Sequence, residues 1–172
     1  MHSIGFLSFG WWSAAPGSRV RTARELMHDT IRLAEAAEDA GIDGAWIRVH
    51  HFEQNISSPF PLLAAMGART SRIELGTGVI NMRYENPLYM AEAAATADLI
   101  SSGRLQIGVS RGSPEPAADG PAVFGYPLGF GDSAAADAAR RIARFREAVS
   151  GAGIAEPGPR AHAREGELLP IT

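Results

Sequence analysis

A repeated alternation constrains this chain more than any other feature: a short apolar run, then a helical pattern, then another apolar run, with brief connections between them. Ile4 to Phe9 is apolar and is broken by Gly10, the shape of a buried strand. A helical pattern starts near Thr22, with Leu26, Thr30, Leu33 and Ala37 stacked at steps of four and three, and Gly41 closes it as the residue beyond the helix end. Gly44 to Val49 is the second strand. Ser58 and Pro59 form a cap and first-turn pair that opens a short helix through Met66. Arg69-Thr70-Ser71 then turns into a third strand over Ile73 to Val79, Asn86-Pro87 repeats the helix-start signal for an alanine-rich helix ending at Gly103, and Leu105 to Val109 is the fourth strand. Such alternation predicts an α/β fold of parallel strands with right-handed helical crossovers. Four strand-helix units are half of what a closed (β/α)8 barrel of about 250 residues requires.

Beyond Arg111 the rhythm changes. SPEPAADGPAVFGYPLGFGD reads as a long loop, followed by a helix of roughly Ser133 to Val149 whose Arg140, Arg141 and Arg144 read as a solvated face. The expected organisation is a partial barrel domain over residues 1–150, ending with that helix, and an irregular tail over 151–172.

Composition removes several chemistries. The chain has no cysteine, which excludes disulfides, thiolate nucleophiles and Cys-ligated zinc, and all 16 of its basic residues are arginine, which excludes Schiff-base lysines and a P-loop lysine. Proton transfer near neutral pH therefore falls to five histidines and the carboxylates. His2, His28 and His162 stand alone, without metal-ligand spacing, so no metal site is expected. A formal charge of −3 argues against nucleic-acid binding, and no apolar run reaches membrane-spanning length. MHSIGFLSFG has no charged segment followed by an apolar block, so a cytoplasmic protein is expected.

Three motifs fall at the carboxyl ends of successive strands. In WIRVHHF, strand alternation puts Ala45, Ile47 and Val49 on one face, suited to packing helices, and Trp46, Arg48 and His50 on the other, facing a barrel interior or mouth. His50 is thereby a candidate acid-base group; His51 points away. In GTGVIN, Gly76 and Gly78 around Thr77 allow close backbone approach by a planar ligand, or serve a tight turn. In GVSRGSPE, Ser110 and Arg111 precede Gly112; the arginine is of the kind that forks onto a phosphate, or pairs with Glu115 at the surface.

Taken together, GFLSFG, RVHHF, IELGTGVINMRYENPLYMAEAAATADLISSGR and LQIGVSRGSPE, in this order, resemble the N-terminal half of a bacterial luciferase-like, flavin-dependent monooxygenase, from about Ile4 to Phe124. The resemblance implies a TIM-barrel-like oxidoreductase that binds reduced FMN at the carboxyl-end mouth and uses O2 on a small organic substrate, with a flavin reductase as a possible source of the cofactor. It implies that His50 acts near the flavin in oxygen activation, that a non-proline cis peptide at Gly78-Val79 lies beneath the ring system with Gly76 and Thr77, and that Arg111 pairs with the flavin phosphate. Ser110 stands where luciferase has a reactive cysteine, and Val49 where it has glutamate. The resemblance stops short of the segment that completes the family's phosphate cup, which implies a truncated barrel.

Two other readings fit the same residues. Barrel relatives use a deazaflavin for hydride transfer without oxygen, and the GTG and SRG motifs do not separate the two cofactors. Alternatively the chain is a non-catalytic half-barrel that pairs with itself or another subunit, a homo- or hetero-oligomer that covers its open sheet edges.

Overall fold

A computed structural model describes residues 3–112 and 116–151. Four strands, β1 (Gly5–Ser8), β2 (Gly44–Ile47), β3 (Glu74–Asn81) and β4 (Leu105–Ser110), form one sheet in the order β1-β2-β3-β4. Every neighbouring pair is parallel, with Gly5 opposite Gly44, Trp46 opposite Gly76 and Leu75 opposite Leu105. Between and after the strands run α1 (Ala23–Asp39), α2 (Pro59–Arg69), α3 (Pro87–Ile100), the short α4 (Gly120–Val123) and α5 (Ala134–Val149). The four-stranded half of a barrel read from the sequence is thus the observed architecture.

Helix starts follow local chemistry. The Thr22 hydroxyl accepts from the Glu25 amide at 3.1 Å while the Glu25 carboxylate accepts from the Thr22 amide at 3.1 Å, a reciprocal cap worth about 1 kcal/mol. Asn86 accepts from the amides of Leu88 and Tyr89, and Ser133 from that of Ala136. Gly41, at φ +83°, takes the left-handed turn that ends α1. Ser58 is a different case: it occupies the cap position of α2, but its side chain makes no capping bond.

Several boundaries move. α2 continues past Met66 to Arg69; β3 begins at Glu74 and extends through Asn81; β2 stops at Ile47. The long loop after Arg111 contains α4, where Pro121 sits in the first turn. The expected tail over 151–172 lies outside the described residues except for Gly151.

Burial is one-sided. Ala45, Ile47, Ile73 and Leu75 are fully buried with Ala34, Leu63 and Met66 of α1 and α2, and Val49 and Ile80 are buried with Met90, Ala94 and Phe145 of α3 and α5. α1 packs on α2, α2 on α3 and α3 on α5, forming one layer outside the sheet. The opposite face is half open, with Leu7 41% and Val79 39% exposed. There the Trp46 indole lies across β1, β2 and β3: a Cβ added to Gly5, Gly44 or Gly76 would come within 2.2, 2.0 or 2.7 Å of it. Three glycines therefore make room for one ring.

Of the α5 arginines expected on a solvated face, Arg140 and Arg144 are exposed, with 56% and 41% of their side chains accessible, but Arg141 is not. Arg140 and Arg141 both bind Asp137, Arg141 also donates to the Glu85 carbonyl at 2.7 Å, and its guanidinium lies 4.4 Å from the Tyr126 ring centroid. These contacts tie α5 to the loop after β3, which is why Arg141 is largely buried.

Candidate active site

β2, β3 and β4 run in the same direction, so their carboxyl ends meet at one rim. A pocket of about 220 Å³ opens there, lined by Arg48, Val49, His50, Val79, Asn81, Ser110 and Gly112. It joins His50, Val79 and Ser110, read from three separate motifs, and adds Arg48 and Asn81, which the sequence reading did not assign to a site. Arg48 was open to detection, since it shares the alternating face of His50; Asn81 enters because β3 runs two residues beyond the expected strand end.

His50 is held by its neighbours. Its amide donates to the Ile56 carbonyl at 2.9 Å, and Arg48 Nε donates to His50 Nε2. The Arg48 guanidinium rests 5.1 Å from the centroid of Phe9. His51 turns the other way, as expected, and is buried with its ring 4.3 Å from that of Tyr84 and 5.0 Å from that of Phe124.

The Gly78-Val79 peptide is cis. Gly78 lies beside Leu7 and Trp46, and Val79 reaches the open face. Gly76 and Thr77 play a different part from Val79. Gly76 is covered by the Trp46 indole, and Thr77 is 2% exposed, its hydroxyl donating to the Gly108 carbonyl and accepting from the Gly108 amide. Neither side of the motif offers a side-chain group to the pocket from these two positions; they shape the strand that carries Val79.

At the end of β4, the Ser110 hydroxyl donates to the Ile80 carbonyl at 3.4 Å and accepts from the Gly112 amide at 3.1 Å. Arg111 is exposed beside this rim and forms no ion pair with a described residue. Glu115, its alternative partner, lies outside the described residues. Among the described residues no group of three metal-binding side chains is found, and no helix is long and apolar enough to cross a membrane.

A larger cavity of about 530 Å³ lies on the His51 side, walled by Tyr84, Tyr89, Phe124 and Tyr126 and holding one carboxyl, Glu85. Burial raises the pKa of Glu85. Size alone does not make it the reaction centre: it lies on the side of the strand ends to which His51, not His50, is turned.

The luciferase-like monooxygenase family model matches residues 7–150. The oxygenase component of the flavin-dependent trigonelline monooxygenase of Acinetobacter baylyi is 34% identical over 95 residues, 54% of this chain and 26% of that protein. The F420-dependent glucose-6-phosphate dehydrogenase of Amycolatopsis mediterranei is 33% identical over 90 residues, 49% of this chain and 27% of the relative. The crystal structure of the monooxygenase RslO1 from Streptomyces bottropensis superposes with a TM-score of 0.75 at 26% identity, covering 93% of this chain and 46% of that one. The matched segment therefore spans less than half the length of each of these proteins.

Proposed function

Because the chain belongs to the luciferase-like monooxygenase family, we propose that it carries the N-terminal half of an oxidoreductase site that uses reduced FMN and molecular oxygen on a small organic substrate. The observation that carries this reading is the meeting of His50, Val79 and Ser110 in one pocket at the carboxyl ends of three adjacent parallel strands.

The residues present suit such a cofactor. Val79 and Leu7 offer an apolar bed on the open face, while Ser110 and Arg111 offer a hydroxyl and a cation that has no ion-pair partner among the described residues. Reduced flavin, when bound, supplies the electrons for oxygen chemistry. The chain's own part is to seat the ring system on Gly78-Val79, to hold the phosphate with Arg111 near Ser110, and to hold or move a proton at His50. Gly76 and Thr77 act at one remove, through the course of β3. One exposed arginine contributes only about 1 kcal/mol, so the remaining phosphate contacts come from further strand-helix units that close the barrel, in the same polypeptide or a partner subunit. A cytoplasmic location, with a flavin reductase supplying the reduced cofactor, fits this chemistry.

Titrating the full chain with FMN and following flavin fluorescence tests the reading. Saturable binding below about 1 mM is expected, and no binding at about 1 mM defeats it. With a reductase present, His50→Ala is expected to abolish oxygen-dependent product formation while retaining FMN binding. The F420-dependent relative motivates a second reading, a deazaflavin in the same mouth. Turnover that persists under nitrogen with reduced F420 selects it.

A further inference from the structure

We propose that Arg48 is a positioning residue that fixes the tautomer of His50, with Nε2 as the accepting nitrogen and the proton on Nδ1. The tautomer stands on geometry alone; its meaning for the reaction rests on the reading of His50 given above. Arg48 Nε donates to His50 Nε2. A guanidinium has no lone pair to return, so Nε2 must be the unprotonated, accepting nitrogen. An Nε2–H tautomer, or a doubly protonated ring, would set one N–H against another.

Both partners are fixed. The Arg48 amide donates to the Ser8 carbonyl at 2.9 Å, its guanidinium is seated over Phe9, and the His50 amide is bound by Ile56 O at 2.9 Å. His50 Nδ1 is buried and has no hydrogen-bond partner among the described residues, so nothing there competes to draw the proton away or to demand a lone pair. Among the described residues, Arg48 is also the one charged side chain in the lining of the His50 pocket. It follows that Nε2 is reserved by the protein, and that the proton His50 carries sits on the nitrogen for which the described residues supply no acceptor.

The test reads the tautomer directly. In the full chain labelled with ¹⁵N-histidine at about pH 8, above the ordinary histidine range, long-range ¹H–¹⁵N correlations distinguish the two nitrogens of each ring, and loss of one set in His50→Gln assigns His50. A protonated Nδ1 with an unprotonated Nε2 is expected. In Arg48→Met, which keeps the stem and removes the donor, the Nε2–H form is expected to become the major species; Arg48→Lys, which retains a donor, is expected to restore Nδ1–H. An Nε2–H signature in the unmodified chain overturns the proposal, as does an unchanged Nδ1–H signature in Arg48→Met. Should Arg48→Met fail to fold, the spectrum of the unmodified chain decides. Absence of FMN binding would sink the flavin reading and leave this assignment standing; the wrong tautomer would do the reverse.

Discussion

Thr77 and Gly108 exchange two hydrogen bonds across adjacent strands: the threonine hydroxyl donates to the glycine carbonyl at 3.0 Å and accepts from the glycine amide at 3.1 Å. The register of β3 against β4 shifts immediately afterwards, between Thr77 and Ile80. A side chain thus occupies backbone groups where the regular ladder is interrupted, and the chain can pass through Gly78-Val79 without leaving them unpaired.

Thr77→Val keeps the shape and removes both bonds. Two backbone groups of Gly108 lose their partner, which should cost about 2 kcal/mol. The expected result is a lower urea midpoint, with Thr77→Ser recovering most of the loss; equal midpoints for the valine variant and the parent would contradict it.

Glu38 predicts an acid limb in the stability curve. Desolvation pushes its carboxyl pKa up, but the backbone amides of Ile73, Arg72 and Ser71 and the Ser71 hydroxyl outweigh this and hold it at about 2. A folded-state pKa below the unfolded value of 4.5 stabilises the fold above that value, and the gain is lost as pH falls through about 2. Glu38→Ala should lower stability at neutral pH by about 2 kcal/mol and make the urea midpoint less dependent on pH between those limits. A variant that retains the parent's full acid dependence would exclude Glu38 as its source.

Much of this fold was legible because its signals are local. Thr22, Asn86 and Ser133 cap helices within three residues of themselves, and the alternation in WIRVHH separates buried Ile47 and Val49 from Arg48 and His50. What escaped the sequence depends on distant partners. Arg104 donates to Gly67, Thr70 and Ile73, whose separations from it are 37, 34 and 31 residues, and so joins the end of α2 to the start of β3. Nothing around Arg104 in the sequence announces those carbonyls. Likewise Gly76 reads as room for a ligand until Trp46 is found filling it, and Arg141 reads as surface until the Glu85 carbonyl and Tyr126 are brought to it.

Glu85 behaves oppositely to Glu38. Burial raises its pKa in the folded chain, so the fold binds its proton more tightly than the unfolded chain does. The linkage sign then reverses: stability is highest below the unfolded pKa and falls as pH rises through the folded one, leaving an ionised carboxylate that costs stability at neutral pH. Glu85→Gln should raise the urea midpoint at neutral pH and lose that advantage in acid. A lower midpoint at neutral pH would show that the carboxylate is stabilising.

Gly112 is expected to be the most sensitive backbone position of the His50 pocket. Its φ is +90°, and a Cβ there would meet the Asn81 side chain, 2.2 Å from Nδ2 and 2.5 Å from Cγ. Asn81 cannot simply retreat, because its Oδ1 accepts from the Arg83 amide at 3.1 Å and so caps the 3-10 turn Met82–Tyr84. Gly112→Ala therefore combines a left-handed backbone penalty of about 1 kcal/mol with displacement of that cap, for a loss of about 2–3 kcal/mol in denaturant titration. The two parts separate in a double-mutant cycle. Asn81→Ala should remove the collision, so that adding Gly112→Ala to it costs only the backbone part, a coupling of about 1 kcal/mol or more. Strict additivity would mean that the alanine methyl finds space elsewhere and that Gly112 is required for its dihedral angle alone.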